Sequence, residues 1–187
     1  EVYVNDALVG EHKGGYDPFS FDVTSALKKS GKQVLRVKVQ DATDNSFQPR
    51  GKQCIINAGI WYTPVTGIWQ TVWMEPVTPS YVRNYYAVSD IDKGEIAFDV
   101  DASPAAGDVV KVALLEGGEG YSAENPSQTV LAEAVVENGK AIVKVDDVKT
   151  WSPDSPYLYG VKVWVERNGK VVDSVNGYTA MRKISIK

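Results

Sequence analysis

A group of hydrogen-bond donors lies close in sequence to two aromatic residues. Arg50, Lys52 and Gln53 are followed a short distance later by Trp61 and Tyr62. Guanidinium and amide groups donate hydrogen bonds to sugar hydroxyls, and flat aromatic rings stack on pyranose rings. One interpretation is therefore a loop that contacts a sugar. The other is a loop that fastens onto a neighbouring domain, with Arg50 in a charge-assisted pair.

Other reactive centres need residues that this sequence lacks or does not group. His12 and Cys54 are the only histidine and the only cysteine, so a zinc site or a Ser/His/Asp triad lacks its usual members. Asp41, Asp44 and Asn45 could offer oxygen atoms to calcium, but nothing else in their loop supports a metal. No carboxyl pair stands out for glycoside hydrolysis. The sequence predicts no catalytic residue, no bound metal and no cofactor in this chain.

The donors belong to a stretch that we predict to be a long exposed loop. Residues 41–56 are polar and irregular, and long ordered loops often carry function. Residues 68–74 alternate with a period of two, and both faces of the alternation are largely apolar or aromatic. This pattern predicts a central strand packed on two sides. Pro76 and Pro79 then end the pairing and indicate a domain boundary after residue 78.

The segment before this loop carries signals for a hairpin, a helical turn and two strands. Asn5-Asp6 separates two apolar triplets and can adopt the positive φ of a two-residue hairpin turn. Residues 18–24 and 33–40 alternate as strands do. A single helical turn is predicted within residues 22–29, because Asp22 or Thr24 could cap it and Gly31 could end it.

The second part of the chain has short strands at regular spacing and no helical periodicity. Two Asn-Gly dipeptides, at 138–139 and 168–169, are strong hairpin signals. The predicted strands are 81–88, 95–101, 109–116, 129–136, 141–145, 157–166 and 171–186. Seven such strands predict an immunoglobulin-like β-sandwich over residues 79–187.

Composition narrows the possible partners. The 187 residues carry a formal net charge of −4 with no run of five like charges, which disfavours a nucleic-acid partner. Apolar runs stop well short of the roughly 18 residues that a membrane span needs. A single cysteine leaves secreted, periplasmic and cytosolic locations open.

Taken together, the motifs of both parts resemble the family 2 glycoside hydrolases, the group of β-galactosidases, β-glucuronidases and β-mannosidases. Each motif is weak alone, but their number and order are specific, and they span almost the whole chain. The matching segments are Val4-Asn5-Asp6, Val9-Gly10, His12, Gly14-Gly15-Tyr16, Pro18-Phe19, Phe21-Asp22-Val23-Thr24, Pro49-Arg50-Gly51-Lys52-Gln53, residues 66–75, residues 151–159 and residues 178–182.

The resemblance implies an all-β chain: the later part of a galactose-binding-like jelly roll in residues 1–78, then the sandwich. Early jelly-roll strands, the catalytic (β/α)₈ barrel and both catalytic glutamates would lie outside this chain. The implied function is that of a non-catalytic part of a β-glycosidase acting on carbohydrate, with a periplasmic or secreted location slightly favoured. A free-standing carbohydrate-binding module, with Trp61 and Tyr62 as its platform, is the alternative, and a structural pair of sandwiches is a third. Exposed strand edges would also lead copies of the chain to self-associate or exchange strands, unless another chain covers those edges.

Overall fold

The structure, a computed structural model, describes residues 1–186 and contains two compact units. One unit is Glu1–Met74, and the other begins at Glu75. Both are built from strands and irregular segments, so the all-β fold class is confirmed. The assignment of residues 1–78 to part of a jelly roll stays a prediction. No helix within residues 1–186 has the length and apolar character needed to span a bilayer.

The first unit contains a small sheet in the order β2-β1-β3. Strand β1 is Val2–Val4, β2 is Ala7–Gly10 and β3 is Leu35–Val37, all antiparallel. The predicted hairpin is confirmed, because Asn5 and Asp6 take φ values of 48° and 68° at the turn. The Asn5 side chain donates to Ala26 O at 2.9 Å and accepts from Val34 N at 3.0 Å. One turn residue thus anchors the hairpin to two later segments.

Two predictions around residue 24 had different outcomes. The predicted single turn forms, as a 3₁₀ turn at Thr24–Ala26, but it follows Val23 without a side-chain cap and ends at Leu27 rather than at Gly31. The Asp22 carboxylate accepts a hydrogen bond from Thr24 N at 2.8 Å, just before the turn. The strand predicted over 18–24 does not form. Its aromatic residues serve tertiary packing instead: Phe21 lies so close to Gly10 that a Cβ there would be 2.3 Å from the ring.

The prediction of a central strand over residues 68–74 is wrong. The segment has no regular secondary structure, and Trp69, Trp73 and Met74 are 65%, 72% and 63% exposed. Alternation reports where side chains point, whereas a strand also needs neighbours that complete its hydrogen bonds. Among residues 1–186, strands β1, β2 and β3 pair only with one another, and this segment joins none of them. Similarly, only Leu35–Val37 of the predicted strand 33–40 is paired.

The second unit is a sandwich of a four-stranded and a three-stranded antiparallel sheet. All seven predicted strands have a counterpart: β4 is Tyr81–Asp90, β5 is Glu95–Ser103, β6 is Val109–Gly118, β7 is Val130–Val135, β8 is Lys140–Lys144, β11 is Leu158–Arg167 and β12 is Lys170–Thr179. The last strand was predicted to reach residue 186 but ends at Thr179. The sheets run β12-β11-β6-β7 and β4-β5-β8. A small hairpin of β9, Trp151–Ser152, and β10, Ser155–Pro156, was not anticipated. Both Asn-Gly turns form, with φ near 50° at Asn138 and Asn168. The hairpin at Asn168 is confirmed, because it joins the paired strands β11 and β12. The turn at Asn138 instead joins β7 and β8, which belong to different sheets, so no hairpin of paired strands forms there.

The core of the sandwich lies between the two sheets. Alternate residues of β6 and β11 face it and are almost fully buried, among them Val112, Leu114, Val161 and Val163, each 0% exposed. Strand β5 contributes the Ile96-x-Phe98-x-Val100 face from the opposite sheet. Burial on every second residue follows from the way side chains alternate between the two faces of a strand.

An ion pair fixes the edge of the sandwich where the chain enters it. Arg167 donates from Nε and Nη2 to the two carboxylate oxygens of Asp108, at 2.7 Å each, and Nη2 also donates to Ser80 Oγ at 3.0 Å. The Asp108 side chain is only 1% exposed. Hydrogen bonds from Arg167 hold the pKa of the Asp108 carboxyl far below its ordinary value, so this group stays ionised and paired.

Candidate functional site

The aromatic loop, defined here as residues 41–66, is held in shape by two carboxylates. Asp41 accepts hydrogen bonds from Thr43 N at 2.7 Å and Gln48 Nε2 at 3.0 Å. The bond from the Thr43 backbone is the main reason that the pKa of the Asp41 carboxyl lies below its ordinary value. Its second oxygen is 3.4 Å from Thr66 Oγ1, which joins the two ends of the loop. The loop is therefore ordered although it lacks regular strands.

Asp44 holds the middle of the aromatic loop and fixes Arg50. Its Oδ2 atom is 3.3 Å from Arg50 Nη1 and accepts a hydrogen bond from Ile55 N at 3.0 Å. The Asp44 side chain is 18% exposed and that of Arg50 is 42% exposed. The charge-assisted partner of Arg50 thus lies within its own loop. Part of the guanidinium remains open to solvent.

A short backbone ladder brings the donor end of the loop to its aromatic end. Tyr62 N donates to Lys52 O at 2.9 Å, and Cys54 N donates to Tyr62 O at 3.2 Å, around a parallel bridge between Gln53 and Tyr62. Trp61 and Tyr62 are 45% and 62% exposed. Lys52, Gln53 and Tyr62 are therefore neighbours, with Trp61 next to them in the chain. A sugar-contacting role for these residues stays a prediction.

The lone histidine and cysteine are packed side chains in this structure. The His12 ring stacks on Phe19 with centroids 4.3 Å apart and planes inclined by 19°. Cys54 is buried, and its Sγ lies 3.0 Å from Ile56 O. Within residues 1–186, no three His, Cys, Asp or Glu side chains come together as a metal site requires. Asp41 and Asp44, the oxygen ligands considered for calcium, are engaged in holding their own loop.

Six carboxyl groups of the described residues have a pKa shifted from the ordinary value. Every one whose pKa is shifted is shifted downward: Glu1, Asp22, Asp41, Asp90, Asp108 and Glu166. The cause is hydrogen bonding to donors, for example from Lys111 to Glu166. A general acid in glycoside hydrolysis needs the opposite shift, because it must hold a proton near neutral pH.

A cleft on the sandwich was not foreseen from the sequence. This edge cleft, of about 510 Å³, is lined by Asn84, Tyr85, Tyr86, Ala87, Ala123, Asn176, Gly177, Tyr178 and Thr179. It lies where β4 and β12, the edge strands of the two sheets, come together. The two contributing segments have similar compositions, each with asparagine and tyrosine, and this was the only available signal. The sequence does not show that the edges of β4 and β12 lie side by side, because that depends on how the two sheets pack.

The seven-stranded antiparallel sandwich is the part of the chain that identifies its family. The sequence model described as Glycosyl hydrolases family 2 matches residues 80–182, which covers the sandwich. This chain belongs to that family.

Relatives with assigned names align with the whole chain but are much longer. A "Beta-galactosidase" of Thermoanaerobacter pseudethanolicus is 28% identical over 192 residues, covering 100% of this chain and 25% of the relative. "Beta-galactosidase BoGH2A" of Bacteroides ovatus is 28% identical, with coverage of 100% and 21%. A "Putative beta-glucuronidase" of Formosa agariphila is 26% identical, with coverage of 100% and 22%. The chain thus spans about a quarter or less of the length of these relatives.

Among solved structures, the chain is similar to the β-glucuronidase of Ruminococcus gnavus in complex with uronic isofagomine. The sequence identity is 19% and the TM-score is 0.45, with coverage of 58% of this chain and 16% of that one.

Proposed function

We propose that this chain is a non-catalytic β part of a β-glycosidase, a longer protein that hydrolyses β-glycosidic bonds in carbohydrates. The observation that carries the proposal is the family match across the sandwich. The names of the relatives, β-galactosidase and β-glucuronidase, point in the same direction. The resemblance in the sequence motifs adds that the reaction would be of the retaining type, with two carboxyl groups roughly 5 Å apart.

The state of the carboxyl groups in this chain favours a structural role within that enzyme. Its shifted carboxyl groups are all held ionised by hydrogen bonds or ion pairs, so none of them is prepared to act as the acid. The acid and the nucleophile would come from another part of the longer protein. The sandwich would then act as a rigid spacer, and the aromatic loop would edge the mouth of the catalytic barrel.

The catalytic part of the proposal is tested by comparing two proteins on aryl β-galactosides and aryl β-glucuronides. We expect the product of the complete reading frame to hydrolyse at least one of them and the 187-residue chain to hydrolyse neither. Turnover by the 187-residue chain itself, abolished by changing one of its own Asp or Glu residues, would overturn the proposal.

The free-standing carbohydrate-binding module remains the second candidate, because Trp61 and Tyr62 are exposed side by side in an ordered loop. A module of this kind binds sugar through those rings. The two candidates are separated by measuring glycan binding of the isolated chain and of its Trp61→Ala and Tyr62→Ala variants. A supporting domain should show no sugar binding that depends on either ring, whereas a module should lose its binding in both variants.

A further inference from the structure

We infer that the edge cleft of the sandwich is a binding site for an uncharged sugar, separate from the aromatic loop. Its lining supplies hydroxyl, amide and backbone groups together with aromatic rings, and it contains no charged side chain. Sugars without a carboxylate are recognised by this combination, since their hydroxyls hydrogen-bond and their C–H faces stack. The inference concerns the sandwich alone and does not depend on which part of the longer enzyme carries out hydrolysis.

The position of the cleft provides backbone hydrogen-bonding groups. Within residues 1–186, β4 pairs only with β5, and β12 pairs only with β11. Each therefore has one edge whose N–H and C=O groups are not used in a ladder. Consecutive residues on both strands, 84–87 and 176–179, line the cleft. The Tyr85 N–H is already bonded to Asn84 Oδ1 and the Tyr178 backbone to the Tyr85 hydroxyl. The other edge groups of these two segments are available to a ligand with many hydroxyls.

The side chains add specificity to these backbone groups. Tyr86 and Tyr178 are 66% and 60% exposed, so their rings are accessible to a ligand. Asn84 and Asn176 are also exposed. Asn84 Oδ1 already accepts a hydrogen bond from Tyr85 N at 2.8 Å, which orients its amide. An amide oriented in this way presents its NH₂ group as a donor.

The volume and charge of the cleft specify the class of ligand. A space of about 510 Å³ falls within the range of small-molecule sites, and it suits one or two sugar rings. No Arg or Lys lines it, so a uronic acid would lose the hydration of its carboxylate without gaining a cationic partner. The ligand should therefore be a neutral glycoside rather than a glucuronide.

The experiment is an NMR titration of the ¹⁵N-labelled 187-residue chain with methyl β-galactoside and, separately, with methyl β-glucuronide. We expect saturable shifts at residues 84–87, 123 and 176–179 with the galactoside, with a Kd on the order of 1 mM, and none with the glucuronide. Tyr86→Ala and Tyr178→Ala should each weaken binding about 2- to 10-fold. Tyr62→Ala is the control in the aromatic loop and should leave the Kd unchanged.

Three results would overturn the inference. The first is the absence of saturable shifts at galactoside concentrations about tenfold above the expected Kd. The second is binding of the glucuronide as tight as that of the galactoside. The third is a set of shifts confined to residues 50–62 and lost in Tyr62→Ala. The exposed tyrosines contribute little to the core, and the spectra of the unliganded variants verify that each remains folded. The outcome is also independent of the hydrolysis assay, because the titration measures binding only.

Discussion

At the residue scale, the ion pair between Asp108 and Arg167 shows how one carboxylate can be committed to structure. The two groups meet in a bidentate geometry, and Ser80 and the Ala105 backbone N–H complete the arrangement. The Asp108 carboxylate is buried while the Arg167 side chain is 48% exposed. Removing the charge of the buried member leaves the guanidinium without its partner. We therefore place this pair among the contacts that hold the sandwich together.

Asp108→Asn should lower the free energy of unfolding at pH 7 and remove part of its dependence on acid pH. The folded-state pKa of Asp108 lies below the unfolded value of 3.8, so its contribution to stability is present above that pH. The contribution is lost as the pH falls toward the folded-state pKa. Urea unfolding of the chain and the variant, at pH 7 and near pH 3, should give a difference that narrows in acid.

The matched control for this measurement is Asp99→Asn. Asp99 pairs with Lys140 at 2.5 Å, but both side chains are more than half exposed, and such surface pairs contribute little. A loss of stability at pH 7 as large as that of Asp108→Asn would show that burial of the pair is unimportant.

At the scale of elements, the core-facing strands of the sandwich depend on buried aliphatic side chains. Leu114→Ala on β6 should lower the free energy of unfolding by about 2–5 kcal/mol, because Leu114 is 0% exposed and its truncation leaves a cavity. Leu131→Ala on the neighbouring strand β7 is the control, since Leu131 is 47% exposed, and its effect should stay within about 0.5 kcal/mol. Equal losses in urea unfolding would contradict the assignment of the core.

The elements also show what the sequence could and could not predict. Strands β4 to β8, β11 and β12 were predictable because short strand-like segments recur at regular spacing between turn signals, and Asn138 and Asn168 mark two of the turns. Residues 68–74 alternate as a strand would but form no strand, since local sequence does not specify a hydrogen-bonding neighbour. The β9–β10 hairpin has two-residue strands, too short to show any period.

The same limit applies to the candidate sites. The pairing of Arg50 was anticipated from its charge, although its partner, Asp44, proved to be in the same loop. The cleft beside Tyr85 was invisible in the sequence, because residues 84–87 and 176–179 are distant in the chain and meet only after folding. The need for glycine at position 117 is likewise visible only in the folded chain, since a Cβ there would be 1.6 Å from Leu158 O of β11.

At the scale of the whole molecule, the exposed aromatic and aliphatic residues of the first unit should cause copies of the chain to associate. Ile68, Trp69 and Trp73 are each between 46% and 72% exposed, and exposed apolar patches of this kind favour contact with other proteins. We expect light scattering to give an average mass above the 20.4 kDa of one chain, rising with concentration. Trp73→Ser should lower that mass.

Ile142→Ser is the control for this effect, since Ile142 is 58% exposed but lies in the sandwich, and the average mass should not change. A clean monomer at high concentration would contradict the prediction for the unmodified chain.

The contacts around Ser80 have a mechanical consequence. Ser80 is bound by Arg167, and two residues later Val82 N donates to Asp173 Oδ2 at 2.9 Å. A pulling force on the preceding chain would thus meet side chains from β11 and β12 before it could peel β4 away from β5. If this region joins moving parts of a larger enzyme, the force would be transmitted to the four-stranded sheet. It would not first break the hydrogen bonds between β4 and β5 in the three-stranded sheet.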